Sequence, residues 1–132
     1  MILVDSSVLI DVLKGDARWG AWSTGALQAA KSGDAVRIND VVYSEISFGY
    51  AGYEELDAVL RILGIDIAPA SRAALFLAAR AFQLYRRRGG VRTGVLPDFF
   101  IGAQAAVESA ALLTRDPDLV HTYFPTVTLI AP

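Results

Sequence analysis

The chain begins with Met1-Ile2-Leu3-Val4-Asp5-Ser6-Ser7, and this stretch decides the fold class. The apolar run 2–4 is typical of a short buried strand, as found in parallel sheets. Asp5 closes the run, and Asp and Ser are residues that cap the N-terminus of a helix. The stretch therefore predicts a buried strand that turns directly into a helix, with a carboxylate at the junction.

Strand and helix patterns alternate along the rest of the chain. Further short strands are expected over 36–38, 65–67, 111–114 and 127–130. Helices are expected over Ser7–Lys14, from a cap at Asp16 to about Lys31, from Asn39 or Asp40 to about Phe48, and over 51–63, 70–88 and 97–109. Glycines at 15, 64 and 89–90 are expected to end helices. This alternation predicts an α/β layered domain with a mainly parallel sheet of about five short strands.

The composition is that of a globular protein. The hydrophobic fraction of 54% excludes a disordered chain, and 132 residues correspond to one domain, spanning 1–132. No apolar run approaches the ~18 residues that a transmembrane helix needs, and no signal-peptide pattern is visible. The chain has no cysteine, which excludes disulfides and thiolate metal sites. These features lead us to expect a cytoplasmic protein.

Four carboxylates lie where the surrounding pattern predicts burial: Asp5, Glu45, Asp98 and Asp116. Two follow apolar strands, one opens the helix that leads into the fourth strand, and Glu45 lies on an apolar helical stripe. Ligand sites of parallel sheets lie beyond the carboxyl ends of the strands, so one pocket can collect all four. Burying an unpaired charge costs several kcal/mol, and no Lys or Arg adjoins the first three in sequence. A hard cation held by several acids is the leading explanation.

Each acid also has a purely structural explanation. Asp5 can cap the first helix, Asp98 suits the first turn of a helix, and Asp116 precedes Pro117 and can belong to a turn. Glu45 is harder to explain, because a mid-helix residue has no capping role and needs a distant Arg as its partner. Together, the acids favour a bound Mg²⁺, which relieves their repulsion and activates water. Phosphodiester hydrolysis is the reaction that this arrangement suits.

The arginines are clustered although the formal net charge is −2. Such a balance gives no overall attraction to nucleic acid. Locally, however, five arginines precede Asp98 within thirteen positions: Arg80, Arg86, Arg87, Arg88 and Arg92. The cluster is either a solvated helix end that complements the helix dipole or a patch that binds phosphates beside the acidic site.

Two small hydroxyl residues adjoin the acids. Ser6 and Thr114 are candidates to hold water or phosphate oxygens, although Ser also caps helices and Thr also ends strands. His121 is the only histidine and is expected at the surface, in a loop after Asp118. A single histidine in a loop does not support a histidine-based ribonuclease mechanism.

The four acidic segments, taken in order, resemble the motifs of PIN-domain endoribonucleases, and most closely those of VapC-type toxins from bacterial toxin–antitoxin pairs. The resemblance covers essentially the whole chain, and its motifs are 1–10, 40–45, 97–103 and 112–119. It implies a three-layer α/β/α PIN domain and a ribonuclease that depends on Mg²⁺ or Mn²⁺. It also implies a cytoplasmic homodimer with RNA as substrate, a cognate antitoxin as partner and no membrane association.

The resemblance also assigns roles to the acids. Asp5 and Asp98 would be the main metal ligands, and Glu45 and Asp116 would complete the catalytic cluster through water or a second ion. Two alternatives remain open. One is a catalytically idle PIN-like binding module. The other is a different Mg²⁺-dependent phosphohydrolase, although enzymes with an aspartyl nucleophile usually carry a second Asp where this chain has Ser7.

Overall fold

A computed structural model describes all residues, 1–132, and contains five strands and seven α-helices. The strands are β1 (Ile2–Val4), β2 (Val36–Ile38), β3 (Asp66–Ile67), β4 (Ala111–Leu113) and β5 (Leu129–Ile130). The helices are α1 (Ser6–Lys14), α2 (Gly20–Gly33), α3 (Asp40–Ile46), α4 (Tyr53–Leu63), α5 (Arg72–Arg87), α6 (Pro97–Glu108) and α7 (Asp118–Tyr123), and a 3₁₀ turn, Ser47–Gly49, follows α3. None of the helices is both long and apolar enough to cross a bilayer.

The strands form one all-parallel sheet in the order β3-β2-β1-β4-β5. β1 lies at the centre, where Ile2 pairs with Val36 on one side and with Ala111 on the other. The chain moves outward from β1 to β3 and then returns to the other side of β1 for β4 and β5. Because parallel crossovers are right-handed, helices cover both faces of the sheet. The predicted three-layer α/β/α architecture is therefore confirmed.

The order of strands reverses between β1 and β4, and this is the switch point of the sheet. In open parallel sheets a crevice forms there, outside the carboxyl ends of the two strands. β1 ends immediately before Asp5, and β4 ends immediately before Thr114. The topology alone therefore brings the first and last acidic segments to the same crevice.

Two predicted helix stops are confirmed by backbone geometry. Gly15 and Gly64 follow α1 and α4 with φ of 62° and 70°, in the left-handed region that side chains with a Cβ rarely adopt. The amide of Gly15 donates to the carbonyls of Asp11 and Val12 and so closes the last turn of α1.

Three local expectations are corrected. The second helix begins at Gly20, not after a cap at Asp16, because the Asp16 carboxylate accepts the amides of Arg18 and Trp19 and closes a separate turn. The α-helix expected to reach Phe48 ends at Ile46 and continues as the 3₁₀ turn. His121 lies in α7 rather than in a loop. With six residues, α7 is too short to show a helical period in the sequence.

A cluster of aromatic rings holds α6 in place. Phe99, 1% exposed, lies at its centre, with ring centroids 5.6 Å from Tyr85 of α5 and 5.5 Å from Tyr123 of α7. Phe82 and Phe124 complete the contacts around Phe99 at 5.9 and 6.3 Å. Edge-to-face aromatic pairs add stability beyond the area they bury. Because Asp98 directly precedes Phe99, this packing also fixes the position of the Asp98 backbone.

We predict that Gly102→Ala destabilises the domain, whereas Gly25→Ala does not. A Cβ at position 102 would lie 2.6 Å from Cδ2 of Phe124, just after α7, and 3.3 Å from Cγ2 of Val120 in α7, so the Phe124 ring would have to move. Gly25 has open space around it within α2. Urea unfolding should show a loss of roughly 1–3 kcal/mol for Gly102→Ala. The matched Gly25→Ala should gain roughly 0.4–1 kcal/mol. Equal effects of the two substitutions would contradict the tight α6–α7 contact.

Candidate active site

Asp5 is buried at the switch point and is held by three hydrogen-bond donors. Its side chain is 4% exposed. The amide of Ser6 donates to Oδ1 at 2.9 Å, and the hydroxyls of Ser7 and Thr114 both donate to Oδ2 at 2.9 Å. An ionised carboxylate has about four acceptor positions, so one remains open. Asp5 therefore caps α1, as its structural explanation required, and still keeps one position for a further ligand.

Thr114 connects two of the acids. Its Oγ1 donates to Asp5 and accepts the amide of Asp116 at 3.1 Å. The carboxylate of Asp116 is 66% exposed and lies 3.8 Å from Nη1 of Arg115. Asp116 thus lies at the solvent side of the crevice, while Asp5 lies at its buried end. The sequence predicted that the Thr114 hydroxyl holds water or phosphate. In the structure it instead donates to Asp5 and accepts the amide of Asp116.

Glu45 reaches the crevice from α3, which packs against both α1 and α6. Its Oε1 is buried and has no hydrogen-bond partner. Burial raises the pKa of Glu45, the charge of Asp5 raises it further, and the nearby Ser6 hydroxyl lowers it. No arginine pairs with Glu45, so the structural explanation for this residue is not realised.

Asp98 lies in the first turn of α6, partly buried in the same crevice. Burial raises its pKa to about 7, with further contributions from the charges of Asp5, Glu45 and Asp116. These like charges act on Asp98 because Asp5, Glu45 and Asp116 lie near it around the crevice. The structure therefore brings the four acids identified in the sequence to one place.

The donor set fits a hard divalent cation. All four groups are carboxylates, and none of Asp5, Glu45 and Asp98 forms an ion pair. No three acidic or histidine side chains meet closely enough to enclose one ion. Mg²⁺ is commonly bound by only one or two carboxylates and keeps several waters. Asp5 keeps one acceptor position open, and the carboxylate of Asp98 forms no ion pair.

Four of the five arginines in the cluster divide into two groups. Nη1 of Arg86 donates to the carbonyls of Gly90 and Arg92 at 3.2 and 2.9 Å, and the guanidinium of Arg88 lies 5.5 Å from the ring centroid of Tyr123. These two residues hold the segment 88–96, which leads into Asp98. The side chains of Arg87 and Arg92 are exposed and make no such contact.

Ser7 and a pair formed by Asp11 and Arg115 also serve the site, although no local pattern identifies them. Ser7 donates to Asp5, and Arg115 binds the carboxylate of Asp11 through Nε at 2.8 Å. The available signal was the spacing of Ser7 and Asp11, because residues four apart lie on one face of a helix. The partner in the β4–α7 segment could not be inferred from that spacing.

Fold and site together define a class of protein, namely parallel α/β domains with clustered carboxylates at the switch point of the sheet. The sequence matches the PIN domain family over residues 2–125, and the chain belongs to this family. PIN domains are in general nucleases, which act by hydrolysis. No match was found among curated proteins.

Several solved structures share the fold. One is VapBC2 from Rickettsia felis bound to a DNA fragment from their promoter, with 17% identity and a TM-score of 0.75, covering 100% of this chain and 99% of that chain. FitAcB from Neisseria gonorrhoeae has 21% identity and a TM-score of 0.69, covering 98% of this chain and 96% of that chain. A toxin–antitoxin complex from Klebsiella pneumoniae has 23% identity and a TM-score of 0.66, covering 97% of this chain and 96% of that chain. At these identities the similarity establishes the fold.

We predict that the metal-free protein loses stability as the pH rises from about 4 to about 7. The pKa of Asp98 is about 7 in the folded state against an ordinary 3.8, so over this interval only the folded state keeps the proton. Stability falls with pH wherever the folded state binds more protons, and the loss is complete above pH 7.

Asp98→Asn removes this loss. In EDTA at pH 8 the variant should be more stable than the wild type by roughly 1–3 kcal/mol, which discounts the full shift for the partial exposure of the group. The gain should vanish near pH 4, where both side chains are neutral. Urea unfolding at the two pH values measures it, and Asp118→Asn on the exposed surface of α7 is the control. A gain that does not depend on pH would contradict the acidic crevice.

Proposed function

We propose that this protein is the ribonuclease toxin of a toxin–antitoxin pair and that it hydrolyses RNA phosphodiester bonds with the help of Mg²⁺ or Mn²⁺. The observation that carries the proposal is that Asp5, Glu45 and Asp116 all lie near enough to Asp98 to raise its pKa, while no cationic side chain is bound to Asp5, Glu45 or Asp98. Such a cluster is unfavourable by itself, and it becomes favourable when a divalent cation is bound. Membership in a family of nucleases supports the same chemistry.

The residues divide the work according to their burial. Asp5 and Asp98 would hold the ion, which would supply activation of a water and stabilisation of the charge that develops on the phosphate. We assign to Glu45 the orientation of the attacking water and the removal of its proton, because its buried Oε1 has no hydrogen-bond partner. Asp116, at the solvent side, completes the cluster through water. Attack of water on phosphorus leaves a 5′-phosphate and a 3′-hydroxyl.

The substrate we propose is single-stranded or loop RNA. The net charge of −2 provides no general attraction to a polyanion, so phosphate binding depends on local cations. Arg87 and Arg92 are exposed at the segment that leads into Asp98, and they are our candidates for contacts with the RNA backbone. Unpaired RNA exposes its bases and backbone to such a site more readily than an A-form duplex does.

A cognate antitoxin and a second copy of the chain are the proposed protein partners. One of the structures that share the fold is a toxin–antitoxin complex from Klebsiella pneumoniae. The chain also exposes large apolar side chains, and contiguous apolar surface marks sites of protein association. On α5 these are Leu75, Phe76 and Leu84, and around α3 and α4 they are Phe48, Tyr53 and Ile62.

The geometry around Asp5 argues against the alternative of a phosphohydrolase with an aspartyl nucleophile. Asp5 is buried, and three hydrogen bonds restrict its oxygens. Ser7, at the position where such enzymes usually carry a second Asp, donates its proton to Asp5 and cannot act as an acid towards a leaving group. Trapping of a phospho-aspartate would revive this alternative.

We predict that Asp5→Asn and Asp98→Asn each reduce RNA cleavage by ~100-fold or more, because each removes a charge that binds the ion. The assay is cleavage of labelled RNA in Mg²⁺, with mapping of the product ends. Asp118→Asn, an exposed acid outside the crevice, is the matched control and should keep full activity.

Three outcomes would oppose the cleavage mechanism. Full activity of Asp98→Asn, full activity in EDTA, or a 2′,3′-cyclic phosphate product would each exclude a metal-activated water. A wild-type chain that neither cleaves RNA nor binds Mg²⁺ or Mn²⁺ in titration calorimetry would instead identify an idle binding module.

We also predict that induction of the wild-type chain in bacterial cells produces a small set of new RNA ends, whereas Asp98→Asn produces none. The end mapping should be carried out on total RNA shortly after induction. Ends that cluster in single-stranded loops would identify the substrate. Identical profiles for the wild type and the variant would show that the chain is not a nuclease in cells.

A further inference from the structure

A second buried carboxylate, Asp11 of α1, lies outside the acid cluster and is fully paired. It is 3% exposed and accepts three hydrogen bonds. Nε and Nη2 of Arg115 donate to its two oxygens at 2.8 and 3.2 Å, and the hydroxyl of Ser23 donates at 2.7 Å. The guanidinium also lies 5.6 Å from the ring centroid of Trp19. Such a two-point contact fixes the orientation of the guanidinium as well as its position.

The backbone of Arg115 lies within the acidic site. Its two neighbours are Thr114, which donates to Asp5, and Asp116, the outer acid of the crevice. Its own amide donates to Oγ of Ser7 at 3.1 Å, and Ser7 passes a hydrogen bond on to Oδ2 of Asp5 at 2.9 Å. The remaining nitrogen of the side chain, Nη1, lies 3.8 Å from Oδ1 of Asp116.

Two residues of α1 therefore bind the segment 114–116 and hold it against the helix. Ser7 binds its backbone and Asp11 binds the side chain of Arg115, and the two lie four positions apart on the same face of the helix. The segment is the only direct link between Asp5 and Asp116. Without these contacts from α1, only two interactions would hold the exposed Asp116. They are the hydrogen bond from its amide to Thr114 and the guanidinium of Arg115, 3.8 Å away.

We propose that Asp11 and Arg115 are positioning residues for the acid cluster: their ion pair holds the segment 114–116 against α1 and thereby sets the position of Asp116. Asp11 is not free to bind substrate, because Arg115 and Ser23 donate to both of its oxygens. The consequence for catalysis rests on the proposed function, whereas the hold on the segment does not.

The geometry requires arginine at position 115. One guanidinium supplies two nitrogens to Asp11 and turns a third towards Asp116. The ammonium of lysine is a single point and cannot serve both carboxylates in this way. Arg115→Lys should therefore loosen the segment as Asp11→Asn does, although it keeps the charge and leaves Asp11 with a cation nearby. It serves as the second variant if Asp11→Asn folds poorly.

The hold on the segment is tested by amide hydrogen exchange in the metal-free chain. We expect Asp11→Asn or Arg115→Lys to accelerate exchange of the Arg115 and Asp116 amides on the order of tenfold. The Asp5 amide, which donates to the carbonyl of Leu113 in the sheet, should not change. Asp34→Asn is the matched control, because it breaks the 2.8 Å pair with the Met1 ammonium at the opposite end of the sheet.

Two exchange results would overturn the proposal. Unchanged exchange at positions 115 and 116 would mean that the pair does not hold the segment. Equal acceleration at positions 5, 115 and 116 would mean that the pair only stabilises the whole domain.

The functional consequence is tested by steady-state cleavage kinetics with Asp11→Asn, Asp116→Asn and the double variant. Asp11→Asn should lower kcat about tenfold with KM unchanged, and should add less than about twofold in the Asp116→Asn background, because coupled residues are not additive. Equal effects in both backgrounds, or a change in KM alone, would overturn the positioning role. A wild-type chain that neither cleaves RNA nor binds Mn²⁺ would refute the proposed function. The exchange data would still show whether the Asp11–Arg115 pair holds the segment 114–116 in place.

Discussion

Repulsion among four carboxylates around the crevice beside the carboxyl ends of β1 and β4 is the constraint on which the rest of the structure depends. The three inner acids, Asp5, Glu45 and Asp98, have different surroundings. Asp5 is surrounded by hydrogen-bond donors, Glu45 keeps an acceptor without a partner, and Asp98 holds its proton up to about neutral pH. Such unevenness is typical of functional sites, where groups are poised for a task at the expense of stability. The scaffold must therefore hold these groups together without using counter-charges.

Apolar packing and short hydrogen-bond chains supply that restraint. The aromatic cluster around Phe99 anchors the start of α6 and hence Asp98. On the other side, the hydroxyls of Ser7 and Thr114 connect α1 and β4 through Asp5. The only strong ion pair near the site is set back from it, at Asp11. Cationic groups are thus kept away from the inner acids, and the crevice stays available to a cation from solution.

The sequence predicted those features that depend on local pattern. The apolar run before Asp5, the glycine stops after α1 and α4, and the four acids were readable because each stands out within a few residues. The start of α2 was not predicted correctly. Asp16 caps a turn before the helix, and in sequence such a turn looks the same as the first turn of a helix. The Asp11–Arg115 pair spans 104 positions, and a single Asp on a short helix looks like a solvated residue. Only the folded chain shows that it is buried.

The shortness of the outer strands limits how the domain can associate. β3 and β5 form the two edges of the sheet, and each contains only two residues. An edge of this length offers very few free backbone donors and acceptors, so it gives a poor template for adding a foreign strand. Other chains must therefore attach through helical surfaces, where side chains rather than main-chain groups select the companion.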